Sequence, residues 1–320
     1  MEHLCKVIMA GTACMDEYFR LSQWIPEGDK IDAAFLRSEP GGMIPNAACV
    51  LAGLGIHTCF FDTMNPGPVT KKLLGQLEAY GVDTSLVSFL PELPDARCFI
   101  CQTPKERTVI AVHSPKPPIT LSNNVLESFF QADYFYTTLF NLQNFENPIG
   151  LLQKLKYHNV KILFDIENHT YSELDRRILT QGDILFFNEY GFKSYCHGHS
   201  PDAIAKDLIN KGAENITVTL GSQGCQCYTG RESFHIPGFK VSAIDPTGAG
   251  DTFNAAFLYG IIKKFPLRQT AVFANAAAAL AVTSDGPKGG VRPVQEINSF
   301  IQKKKGRSNE NNYSYPHNKK

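Results

Sequence analysis

Short, wholly apolar runs alternate along this chain with longer segments of helical period. The runs are Val7 to Ala10, Ile162 to Phe164, Ile184 to Phe187 and Ile216 to Thr219, and the helical segments include Ile149 to Tyr157 and Ala203 to Lys211. A strand that is apolar on both sides is buried on both faces, as the strands of a parallel sheet are. The alternation therefore predicts an α/β fold, a three-layer α/β/α sandwich with a mainly parallel central sheet. Two stretches break this rhythm. Residues 12–40 and 97–113 are short and alternating, and are expected to pair as a small antiparallel β lid. Such a lid would cover the carboxyl edge of the main sheet, where open α/β sheets bind ligands. Ala47 to Leu54 reads as a helix of small residues ended by Gly55, and Pro266 to Ser284 as an alanine-rich helix packed closely against a neighbour or a flat ligand. One domain is expected over residues 1–302, followed by a polar, basic tail over 303–320 with no apolar period, expected to be disordered.

Charge narrows the partners. Lysine and arginine total 31 and aspartate and glutamate 31, and no basic stripe is interleaved with aromatics, so neither nucleic acid nor an anionic membrane is expected. A small molecule is. No apolar run is long enough to span a bilayer, and Met1 to Lys6 leads directly into a strand, so a cytoplasmic location is expected. Nine cysteines in apolar surroundings read as reduced thiols. Cys98 and Cys101 form a Cys-x-x-Cys, but on a strand that offset turns them to opposite faces. Cys196-His197-Gly198-His199 lacks a second ligand pair and reads as a polar loop.

The chemistry concentrates in the run Asp245 to Ala256, where Gly248-Ala249-Gly250 meets Asp251 at a helix start. The first amides of a helix have no intrahelical acceptor and sit at the positive end of its dipole, so this turn suits a phosphoryl group. Asp251 would then be the base; the plain alternative is an ordinary turn with the aspartate as cap. The spacing Asp-x-Thr-Gly-Ala-Gly-Asp resembles the C-terminal signature of the ribokinase-like, or PfkB, carbohydrate kinases. Asp16, Gly41, Gly42, Asn46 and Asp251 occur in the order of that family's sugar-binding positions. Thr219, Gly221 and Gly224, after the strand ending in Val218, resemble its nucleotide loop, and Asn275 a position near the adenine. Asn188 resembles the first residue of the family's Asn-x-x-Glu element, but the fourth position is Gly191 and Glu189 is adjacent instead. Asp245 and Thr247 match residues that help bind a monovalent cation, which implies potassium, with carbonyls from Ser284 to Gly290. Arg107, in a lid turn, is a candidate for attracting an anionic substrate. Asp62 to Gly67 and the strand ending at His113 resemble ketohexokinase and point towards a ketose.

The resemblance covers residues 5–300 and implies an ATP-dependent kinase acting on a sugar or sugar derivative. Asp251 would accept the proton of a hydroxyl attacking the γ-phosphorus, with the amides of Ala249, Gly250 and Asp251 stabilising charge and Mg²⁺ bridging ATP oxygens. Asp16, Gly42 and Asn46 would orient the acceptor. The chain has no P-loop run and no Gly-x-Gly-x-x-Gly after its first strand. A nucleoside kinase of the same fold is an alternative, with Trp24 or Phe35 as a base platform; a catalytically silent sugar-binding regulator is another. A homodimer through the lid is expected, because pairing hides an open strand edge.

Overall fold

The computed structural model describes residues 5–112, 116–167 and 170–306, and His113 lies outside them. In chain order it begins with β1 (Lys6–Ala10), β2 (Cys14–Arg20), β3 (Ala34–Gly41), α1 (Met43–Gly53), β4 (His57–Phe61), β5 (Thr63–Met64), α2 (Pro68–Ala79) and β6 (Ser88–Phe89). Then come β7 (Arg97–Gln102), β8 (Arg107–Val112), α3 (Asn123–Phe130), β9 (Tyr134–Thr138), α4 (Leu139–Gln143), α5 (Pro148–Tyr157), β10 (Lys161–Ile166), α6 (Glu173–Leu179) and β11 (Ile184–Asn188). The remainder is α7 (Glu189–Cys196), α8 (Pro201–Asn210), β12 (Asn215–Thr219), β13 (Cys225–Thr229), β14 (Ser233–Ile236), α9 (Ala249–Ile262), α10 (Leu267–Ala281) and α11 (Val294–Gly306).

Eight strands form the central sheet in the order β14-β13-β12-β11-β10-β9-β1-β4. All pairings from β12 to β4 are parallel, and β13 and β14 close one edge antiparallel. The pleat of β1 shows why its residues are apolar throughout. Val7 and Met9 face a core shared with α1, α9 and α10, while Ile8 and Ala10 face a second core with α3, α5 and α8. Helices therefore cover both sides of the sheet, giving three layers. Close approach explains the alanines of α10: Ala271, Ala274 and Ala277 are fully buried, and a side chain at Gly260 of α9 would meet Thr270 of α10 at 2.8 Å. Helix packing, not a flat ligand, accounts for this small-residue face.

The lid is a separate four-stranded sheet in the order β3-β2-β7-β8. The expectation of a purely antiparallel layer is corrected here, because β2 and β7 run parallel, with Asp16 opposite Cys98. The polypeptide re-enters the lid through β4, α2 and the β5–β6 ribbon before β7, so both strands leave the main sheet in the same direction. Of the expected tail over 303–320, residues 307–320 lie outside the described residues. Helix α11 continues through Lys303 and Lys304 to Gly306, and cations in a last helical turn complement its dipole. Among the described residues, no helix is long and apolar enough to cross a membrane, and all nine cysteines are free thiols.

Candidate active site

Three segments distant in sequence meet at the carboxyl edge of the sheet. The first is the start of α9. Gly248 caps it with φ 75°, a left-handed conformation, and an added Cβ would lie 2.2 Å from the Pro287 carbonyl oxygen. Only glycine fits both constraints. The Ala249 amide turns back to the Pro246 carbonyl at 3.3 Å, so of the three expected phosphoryl-facing amides those of Gly250 and Asp251 are the better placed. No atom lies within 4 Å of the Cβ position of Gly250, which borders open space.

The second segment is the turn into α1. Gly42 has φ 111°, and a side chain there would strike the Thr12 carbonyl at 2.4 Å. Gly41 has a different reason: its Cβ position lies 2.0 Å from the Asp16 carboxylate, so glycine makes the room that Asp16 occupies. The following turn of α1 then presents Asn46, whose Nδ2 donates to Asp251 Oδ2 at 2.8 Å.

The third segment supplies a residue that sequence reasoning missed. The Lys288 ammonium donates to Asn46 Oδ1 at 3.1 Å and to the Pro40 carbonyl at 2.9 Å. This fixes which way the Asn46 amide points, oxygen to the ammonium and nitrogen to Asp251. Its signal in the sequence was a lone lysine in the glycine-rich segment Ser284 to Gly290, which had been read only for its carbonyls.

Asp251 is buried, and its carboxyl is pushed well above the ordinary carboxylate range, first by burial and then by repulsion from Asp165, with the Asn46 hydrogen bond opposing. Asp165 is a second missed residue. It ends the apolar run of β10, and its Oδ2 accepts from Tyr136 Oη at 3.0 Å and from Asn254 Nδ2 at 2.9 Å. Burial, with Glu167 adding repulsion, raises it to about 7. Asp16, also buried, is raised to about 6 by burial, with the Cys14 thiol and Lys288 opposing. Asn46, Asp251 and Lys288 thus form one hydrogen-bonded group, and Asp16 and Asp165 act on it through their charge.

The proposed potassium residues are arranged differently from expectation. Asp245 Oδ1 accepts from the Thr247 amide at 2.8 Å, the Thr247 hydroxyl at 2.5 Å and Arg107 Nη1 at 3.2 Å, and Oδ2 accepts from the Gly286 amide at 3.1 Å. Arg107 also donates to Thr247 Oγ1. Burial would raise the Asp245 carboxyl, but these donors outweigh it and hold it below its ordinary value. Arg107 therefore ties the lid to the turn before α9; its recorded partners are Asp245 and Thr247, not the acceptor group.

In the turn expected to meet the nucleotide, Gly221 (φ 56°) and Gly224 (φ 98°) shape the chain after β12; a side chain at Gly224 would strike the Ile236 carbonyl at 2.1 Å, while Gly221 borders open space. Thr219 Oγ1 donates to the Phe187 carbonyl at 3.4 Å. Asn275 donates from Nδ2 to the Ile236 and Pro237 carbonyls at 3.1 and 3.3 Å, so it holds the chain leaving β14 beside this turn. Asn188 caps α7 by accepting from the Gly191 amide at 2.6 Å, which is what the altered fourth position now does. The polar side chains of Asp62 to Gly67 are held by protein partners: Asn65 bonds Gly67, Asp95 and the Leu93 carbonyl, and Asp62 pairs with Lys116 at 2.7 Å. Trp24 and Phe35, the suggested base platforms, are exposed on the lid.

The family model for pfkB family carbohydrate kinases matches residues 6–292. The chain belongs to the pfkB family of carbohydrate kinases. A ribokinase of Bacillus subtilis (strain 168) is 23% identical over 304 residues, spanning 94% of this chain and 100% of that protein. The structure of Arabidopsis thaliana ribokinase complexed with ribose and ATP is similar with TM-score 0.80 and 21% identity, covering 93% of this chain and 98% of that one. A putative ribokinase II from E. coli in complex with ATP and Mg²⁺ gives TM-score 0.77 at 22% identity, covering 94% and 100%. At these identities the likeness establishes the shared fold, in which the family's α/β body and lid are both present.

Proposed function

We propose that the protein transfers the γ-phosphoryl group of ATP to a hydroxyl of a sugar or sugar derivative, with Asp251 as general base. The observation that carries this reading is the placement of Asp251: a buried carboxylate in the first turn of α9, oriented by Asn46 and adjoining open space at Gly250. Asp16, whose carboxylate fills the space left by Gly41, accepts hydrogen bonds from acceptor hydroxyls. Asn46 and Lys288 then favour the ionised form of Asp251, which takes the hydroxyl proton as that oxygen attacks phosphorus in line. The amides of Gly250 and Asp251 offset charge that grows on the phosphoryl oxygens.

The residues present fit both ATP and Mg²⁺. Gly221 and Gly250 leave the backbone open to phosphates on either side. Burial first, then the charges of Asp165 and Glu167, raise Asp251, and a divalent cation carried by the nucleotide phosphates would offset that charge. Bound Mg²⁺ would supply charge neutralisation across the transferring phosphates.

Charge also restricts the acceptor. Asp16, Glu39 and Asp251 outnumber Lys288 around it, and Arg107 is engaged by Asp245, so an uncharged or amino sugar suits the site better than a sugar acid or sugar phosphate. Because Arg107 and its neighbours already satisfy the Asp245 carboxylate, potassium is not assigned there. Exposed Phe35, Val109, Ile110 and Val112 on the lid support a homodimer through that sheet, and a cytoplasmic location accords with the free thiols. The test is ADP release with Mg-ATP across fructose, ribose, aminosugars, ketogluconates, sugar phosphates and nucleosides. Turnover on a neutral or amino sugar is expected. Sugar-induced thermal stabilisation without ADP release would instead identify a silent sensor.

A further inference from the structure

Cys98 is half of the Cys-x-x-Cys motif, yet its neighbour in space is Cys14, 84 residues earlier, with the two sulfurs 3.7 Å apart. The lid pleat explains this. Cys14 and Asp16 are two apart on β2 and share a face, and Cys98 is the register partner of Asp16 on the parallel strand β7. Cys101 pairs with Phe19 and faces the other way. Gly41, opposite Cys14 on β3, contributes no side chain to the space these groups occupy.

The spacing has a chemical meaning. Cys14 Sγ lies 3.4 Å from Asp16 Oδ1 and 3.7 Å from Cys98 Sγ, and all three ligand atoms fall within 4.8 Å of one another. With zinc bonds of about 2.3 Å to sulfur and about 2.0 Å to oxygen, the sulfur–sulfur and sulfur–oxygen edges of a tetrahedron come to roughly 3.8 and 3.5 Å. Two of the three edges between these groups already have those lengths, and the third falls within 4.8 Å.

We propose that Cys14, Cys98 and Asp16 form a site for a soft divalent ion of the zinc type, and that the ion and the acceptor sugar exclude each other at Asp16. Two thiolates select zinc over the oxygen-seeking magnesium that serves ATP, so millimolar Mg²⁺ does not displace it. Binding sends the two thiol protons to solvent while Asp16 contributes its carboxylate, and no other bond changes. The exclusion rests on the reading that Asp16 holds the acceptor; the ion site itself does not. A sugar kinase built this way is switched off by free zinc and restored by a chelator.

The experiment uses the full chain, reduced and stripped of metal, carrying His57→Ala. That change removes a second cluster, His57, Cys59 and Asp83, at the amino end of β4. Co²⁺ is titrated and followed by thiolate-to-cobalt charge-transfer absorption, then displaced with Zn²⁺. One ion per chain is expected, with the band present in Cys101→Ser and absent in Cys14→Ser and in Cys98→Ser. Cys98 is only half-buried, so its variant tests the site even if a change at Cys14 unfolds the lid. No band in the parent, or a band unchanged in Cys98→Ser, overturns the ion site. In the second arm, Zn²⁺ raises KM for the sugar and not for ATP, and Cys98→Ser relieves this. A cobalt band with zinc inhibition that sugar does not compete away overturns the exclusion at Asp16 while leaving the ion site standing.

Discussion

Two glycines two residues apart in the same turn, Gly248 and Gly250, are predicted to respond oppositely to alanine. At Gly248 the left-handed φ of 75° costs an alanine about 1–2 kcal/mol. The new methyl would also stand 2.2 Å from the Pro287 carbonyl oxygen, so the turn and the loop must separate by about 1 Å to reach ordinary contact. Together these effects should destabilise the fold by roughly 2–3 kcal/mol and lower Tm by several degrees. Because the displaced atoms carry Gly250 and Asp251, a shift of about 1 Å should also cost about 100-fold in kcat/KM. Gly250 has neither problem: its Cβ position meets nothing within 4 Å, and its φ is not left-handed. Alanine there should keep or raise Tm, by roughly 0.5–1 kcal/mol of helix stabilisation. Its methyl nevertheless enters the opening assigned to the phosphoryl group, so kcat/KM should fall by at least about tenfold, a loss of roughly 1.4 kcal/mol in transition-state binding. Calorimetry and ADP release on the same two proteins make the comparison. Gly250→Ala with wild-type kinetics, or Gly248→Ala with both properties intact, would refute the assignment of this turn to phosphoryl transfer.

Asp16 should trade stability against binding. Its folded carboxyl is raised to about 6, above the unfolded value of 3.8, so the native state binds more protons between those values and the fold gains stability as pH falls through about 6. Asp16→Asn should therefore stabilise the protein at pH 7, by something on the order of 1–3 kcal/mol, while abolishing acceptor binding; a denaturant titration paired with calorimetric sugar binding checks both signs. Lys288 opposes the upward displacement of Asp251, so Lys288→Met should move the acid limb of the kcat profile to higher pH and Lys288→Arg should restore it. An unmoved limb in the methionine variant would remove Lys288 from the account. Finally, replacing potassium by tetramethylammonium should leave the rate unchanged, since Arg107 serves Asp245; strong activation by potassium would contradict that arrangement.

The sequence signals that succeeded were local. The apolar runs of β1, β10, β11 and β12 and the helical segments between them announce the layered sheet, because burial on both faces leaves a mark on every residue. The turn before α9 was legible for the same reason, its glycines and carboxylate lying within a few positions of one another. Features set by distant partners were not. Asp165 is one acidic residue at the end of an apolar strand, and its meaning comes from Tyr136 and Asn254, brought together only by the fold. Lys288 acquires its role from Asn46, 242 positions away, and Arg107 from Asp245, 138 positions away. The parallel pairing of β2 with β7 likewise depends on the path taken between them, and it is this pairing that sets Cys98 beside Asp16 rather than beside a partner within its own motif.

The central claim is that Asp251 moves the acceptor proton. Its most direct test is the rate of phosphorylated-sugar formation by Asp251→Asn at saturating Mg-ATP and acceptor, with affinity for both ligands measured on the same protein. Asparagine keeps the shape and a partner for Asn46 but cannot take a proton. The account predicts a fall in kcat of about 10²–10⁴-fold with both ligands still bound. A variant that turns over within a few-fold of wild type would show that the base lies elsewhere.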